Sequence, residues 1–173
     1  MATLLTETRT NTTASTVHAE CHWAVGRVQQ FQRDGVRLDN PDAARLLVAV
    51  EAIPVRDQLW LGMNRSNAVS HAALWTDMTK RAPDEVRTAP ASLLAFGSWL
   101  SGDGAMAWCA LDQVPEGKPY ALANLVAAAI ESGMHPREWA AGNAIPASGA
   151  AQVPELLPSR TTPLNSTRPA PGT

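Results

Sequence analysis

The stretch WLSGDGAMAWCALDQVPEGKPY, Trp99 to Tyr120, sets Gly102, Asp103 and Gly104 between two apolar segments, and it fits either of two local structures. A glycine-rich loop that follows a strand and opens a helix can cradle a phosphate with its backbone N–H groups. The same composition also joins two antiparallel helices. Here the pieces of a phosphate site are missing: there is no GxxxxGK[ST], no alternating pattern before Gly102, and no Lys, Ser or Thr directly after Gly104. Asp103 would repel an anion. It suits a helix N-cap instead, with Gly102 free to take positive φ at the end of the preceding helix. The stretch predicts a structural corner at Gly102, Asp103 and Gly104, with Pro119 marking the next one.

Outward from that corner the apolar period is helical almost throughout. Upstream, Leu93, Phe96, Gly97 and Leu100 fall on one face of APASLLAFGSWL, with Thr88 as a cap and Pro90 near the first turn; downstream, Ala107, Ala110, Leu111 and Val114 make a stripe. Pro119 is expected to open a helix with Leu122, Leu125, Val126, Ala129 and Ile130 inward, ended by Gly133, before a last turn from Pro136 that carries Trp139.

Toward the N-terminus, Val17, Cys21, Ala24, Val28 and Phe31 form a first stripe ended at Asp34-Gly35. Asp39 and Asn40 cap a second helix that has Pro41 in its first turn and is broken by Pro54, which also opens a third with Val55, Leu59, Trp60 and Met63. Asn67 begins a fourth through Ala68, Ala72, Trp75 and Met78, stopped at Pro83, and APDEVRT is a connector with one turn. GVRLD, Gly35 to Asp39, is the one piece that reads as extended. The fold class is all-α, a compact array of about seven helices.

The 173 residues fit one domain, and 45% apolar content is enough for a core built from Ala and Leu around a few large anchors, six of them Trp. Residues 1–15 read as a Thr-rich disordered arm, 16–141 as a single helical domain and 142–173 as a Pro/Ser/Thr-rich disordered tail. A net charge of −2 offers no basic field for a nucleic-acid backbone. No segment approaches the ~20 apolar residues of a membrane span, and MATLLTETRTNTTAST lacks a signal-peptide core. Cys21 and Cys109 form neither a disulfide framework nor a CxxC site, which fits a reducing cytoplasm.

Several residues invite a functional reading beside a structural one. His18 and His22 in HAECH share a helix face at a spacing that can hold a divalent metal, but a stable site needs a third ligand and none is identifiable. Cys21 lies between them, on the apolar stripe, and is the better nucleophile candidate; Cys109 is expected to be an inert buried thiol. Arg56 and Asp57 open a helix, where Asp57 suits the dipole and Arg56 can grip a carboxylate or an anionic ligand. Trp75, Trp99, Trp108 and Trp139 are spread over separate helices among apolar neighbours, which favours packing over base stacking.

PVRDQLW, LWTDMTKRAP, APASLLAFGSWLSGDGAMAWCALDQV and PYALANLVAAAIESGMHPREW resemble the C-terminal helical part of the family catalogued as domain of unknown function 4192, over about Ala43 to Trp139. The resemblance implies one helical domain and an actinobacterial, phage or mobile-element setting, with the additional N-terminal region of larger members missing or reduced. It brings no reaction and no substrate. Ala91 to Pro119 is also similar to one tetratricopeptide unit, through Leu94, Ala107, Leu111 and Pro119, with Ala91, Ala95 and Ser98 in place of the motif's early Trp, Gly and Tyr.

These features lead to a small, non-catalytic helical module that binds a protein or peptide, with no cofactor and with Arg56, Asp57, Trp75, Trp99 and Trp139 as contact candidates. Two alternatives stand beside it. One is a nucleic-acid accessory factor of a phage or plasmid using Lys80, Arg81 and Arg87, and the other is a metal-binding or enzymatic protein using His18, Cys21 and His22.

Overall fold

The segment Thr88–Leu100 has no charged side chain, and from Ala89 to Leu100 every residue is buried. A helix that is apolar all round has to be enclosed by its neighbours, and this one is the axis of the molecule. The computed structural model describes residues 14–115 and 119–139, in which there are seven α-helices, one 3-10 turn and no strand. They are α1 (Ala14–Asp34), α2 (Asn40–Ala49), α3 (Ile53–Leu61), α4 (Ala68–Arg81), the 3-10 turn Asp84–Val86, α5 (Thr88–Leu100), α6 (Gly104–Leu111) and α7 (Ala121–Glu131). None is long and apolar enough to cross a membrane.

The single stripe expected for α5 is therefore too narrow: α4, α6 and α7 all pack on it. Its few polar groups are small, and Ser92 returns its hydroxyl to the Thr88 carbonyl at 2.7 Å. Thr88 is the first helical residue rather than the cap. The 3-10 turn delivers Arg87 with φ −74° and ψ −25°, so the chain enters α5 already helical and no side chain caps it. At the crossing with α4, Gly97 lets the two backbones meet: a Cβ there would lie 3.3 Å from the Ala72 nitrogen.

The corner after α5 is as its residues require. Gly102 has φ +91° and its N–H donates to the Trp99 carbonyl, while the Asp103 carboxylate accepts the Met106 N–H at 2.9 Å. Asp39 caps α2 in the same way, accepting the Asp42 N–H at 2.8 Å. Two boundaries differ from expectation. α2 ends at Ala49, ahead of Pro54, and Pro119 lies two residues before α7, whose cap position is Tyr120.

α1 buries Ala24 and Val28 in the core and is tied to α2 by charge. Arg45 forks onto Glu20 at 2.7 and 3.1 Å and lies 4.1 Å over the Trp23 ring, and Arg27 pairs with Asp42. The expected extended piece at Gly35 to Asp39 is irregular and pairs with no strand. Leu38 plugs into the core and gives its carbonyl to Arg81 at 2.9 Å. The arm through residue 13 and the tail from residue 140 lie outside the described residues; α1 begins at Ala14, just inside the arm as read from sequence.

Candidate functional site

GAMAWCAL gives α6 no polar face, yet the helix buries only Ala107 and Ala110. Those two small residues, three apart on one side, let α6 approach α5 closely. Met106, Trp108 and Cys109 are left facing outward. Cys109 is thus exposed rather than buried, because a helix with neighbours on one side cannot enclose the residue next to its buried stripe.

Between α6, α5 and the C-terminal half of α4 lies an open groove of about 450 Å³. Leu94, Met106 and Ala110 supply its apolar surface, Cys109 and Gln113 one side, and Thr76, Thr79, Lys80 and Arg87 the other. Arg87 is held in place, donating to the Ala82 carbonyl at 2.8 Å and pairing with Asp84 at 2.5 Å. Lys80 is exposed and has no carboxylate partner among the described residues. Thr79 is only 7% exposed, and its buried hydroxyl finds no hydrogen-bond partner among the described residues. That is unusual for a helical Thr: Thr76, one turn away, donates to the Ala72 carbonyl at 2.7 Å.

Apart from Lys80, Arg87 and Cys109, the residues singled out from sequence fall elsewhere. Arg56 is 7% exposed, reaches the adjacent Asp57 at 2.6 and 2.8 Å, and lies 4.9 Å over the Tyr120 ring. Burial works against its charge, but the Tyr120 hydroxyl and Asp57 prevail and hold its pKa above the ordinary value. Burial likewise raises the Tyr120 phenol, against the pull of Arg56. The trio ties α3 to the start of α7.

Trp99 and Trp139 belong to one aromatic cluster with Trp60 and Phe96, in which Trp139 lies 5.3 Å from Phe96, 5.9 Å from Trp99 and 6.1 Å from Trp60. The structure joins rings from α3, α5 and the segment after α7 that sequence reading left apart. Trp75 is wholly buried. One turn before it, His71 is buried as well, and burial pushes its pKa down to about 4.

On α1, His18 and His22 are exposed and Cys21 half-buried, with its thiol pKa raised by burial and by the neighbouring Glu20 charge. Glu20 itself is engaged by Arg45. Among the described residues no group of three His, Cys, Asp or Glu side chains is placed to hold a metal ion. Of the basic trio, Arg81 is committed to Asp77 at 2.9 Å and to the Leu38 carbonyl, which leaves Lys80 and Arg87 at the groove.

A family model described as Domain of unknown function (DUF4192) matches residues 2–137. The chain belongs to the DUF4192 family. The match extends the resemblance read from Ala43 onward to α1 and the start of α2, so the DUF4192 domain includes the first two helices together with the groove-forming ones. No curated protein and no solved structure matches the chain.

The residues missed from sequence are the groove's own: Thr79, Leu94 and Met106. One signal was present, since a short helix with no polar face is either enclosed or presents apolar surface to something else.

Proposed function

We propose that this DUF4192 domain is a non-catalytic helical module that binds a protein or peptide through the groove between α4, α5 and α6. The observation that carries the reading is the outward side of α6. Met106 and Cys109 line a groove beside Lys80, where apolar surface coincides with a cation that has no carboxylate partner among the described residues. Exposed apolar area flanked by polar groups is the composition of recognition surfaces.

The test is co-purification of tagged protein after mild cross-linking, with Met106→Glu and an unrelated Ala-rich helical protein as controls. Partners enriched by the wild type and lost from Met106→Glu support the groove. Identical partner sets from both would remove it from consideration.

A tetratricopeptide-like character for the α5–α6 hairpin is supported by Ala107 and Ala110, whose small side chains admit the close crossing. An actinobacterial or phage setting rests on the sequence resemblance, and a cytoplasmic location on the two free cysteines. Nucleic acid remains the second reading because Lys80 and Arg87 share the groove. Binding to DNA or RNA that weakens steeply with salt would favour it.

A further inference from the structure

We infer that the occupant of the α4–α5–α6 groove is an amphipathic peptide helix carrying a carboxylate beside its apolar face, an inference that rests on the reading of the domain as a peptide-binding module. Two features of the groove define this chemistry.

The first is the shape of the apolar surface. Met106 lies one turn from Ala110 on α6, and Leu94 forms the floor from α5. A surface built from neighbouring helices takes apolar anchors spaced at i, i+3 or i+4, and i+7. Strand addition needs a sheet edge, and the described residues contain no strand. A polyproline ligand docks between aromatic rings, and among the described residues no aromatic side chain lines this groove.

The second feature is charge. Asp84 already neutralises Arg87, whose fork is also tied to the Ala82 carbonyl. Among the described residues Lys80 is left as the one uncompensated cation at the groove. A single ammonium matches a single carboxylate. A phosphate group would call for a free guanidinium fork or several cations.

The experiment is selection of a random-peptide display library on the full chain, followed by affinity measurement with one enriched synthetic peptide. Enriched sequences should carry apolar residues at helical spacing with Asp or Glu at a constant offset. Lys80→Glu should weaken binding about tenfold, reversal of the peptide's acidic residue to Lys should do the same, and combining the two changes should restore affinity. Peptides that enrich without acidic bias, and bind Lys80→Glu as well as wild type, would overturn the carboxylate while leaving the module reading intact. If no peptide enriches over the helical control, the module reading itself fails. Self-association or nucleic-acid binding that Met106→Glu abolishes would replace the peptide as occupant. Lys80 and Met106 are both exposed, and far-ultraviolet circular dichroism verifies that each variant keeps its helicity.

Discussion

Gly97 of α5 rests against the backbone of Ala72 in α4, so close that a methyl group on Gly97 would approach the Ala72 nitrogen to 3.3 Å. Backbone on both sides leaves no flexible side chain to move aside. For Gly97→Ala the helix-propensity gain of about 1 kcal/mol offsets much of this crowding, so a small change is expected. Gly97→Val has no such compensation and should destabilise by about 2 kcal/mol or more, which thermal unfolding will read as a drop of several degrees.

The buried Arg56 depends on Asp57 and Tyr120. Asp57→Asn removes the countercharge and leaves a largely dehydrated guanidinium. Because the Asp57 side chain is itself 37% exposed, water recovers part of the loss, and about 1–2 kcal/mol of destabilisation is expected in urea unfolding. Tyr120→Leu, which keeps the carboxylate, should cost less than Asp57→Asn combined with it.

His71 gives the fold an acid-sensitive element. Its imidazole is neutral in the folded protein, where its pKa is about 4, and takes a proton near pH 6.5 once unfolded. The unfolded chain therefore binds more protons between these values. Stability is complete above about pH 6.5 and declines as pH falls toward 4, by on the order of 3 kcal/mol in full. His71→Leu should flatten this limb. The measurement is the difference in unfolding free energy between neutral and mildly acidic buffer, wild type against variant; equal slopes would show that His71 does not titrate in this way.

Thr79→Val removes a buried hydroxyl that has no partner and keeps the branched shape. Stability should rise by about 1 kcal/mol in chemical denaturation.

Trp139→Ala takes one ring from a cluster in which it touches Trp60, Phe96 and Trp99. A loss of about 2–3 kcal/mol is expected for a half-buried indole, below the range for full burial. The near-ultraviolet circular dichroism of the remaining tryptophans should weaken with it.

What sequence makes legible here is local. Asp39 and Asp103 cap the helices that follow them because a carboxylate reaches N–H groups within its own turn, and Gly102 takes positive φ for reasons confined to its own backbone. The helix count follows from the same short-range periodicity. Thr88 fails as a cap because the preceding 3-10 turn sets its backbone, a fact held in Asp84–Val86 and not in Thr88. The groove and the aromatic cluster are harder still, since each is assembled from elements distant along the chain. Nothing near Cys109 tells whether a neighbour covers α6. Trp60, Trp99 and Trp139 meet only because α3, α5 and the end of the described chain converge.

The enclosure of α5 and the exposure of α6 place two very different environments a few residues apart. Amides of α5 should exchange with deuterium only when the whole domain opens, whereas those of α6 should exchange through local fraying. A ligand seated on α6 would slow its exchange preferentially. The hairpin thus contains its own internal standard: an occupied groove would be recognised as protection that appears in α6 before any change in α5, whatever the ligand's identity.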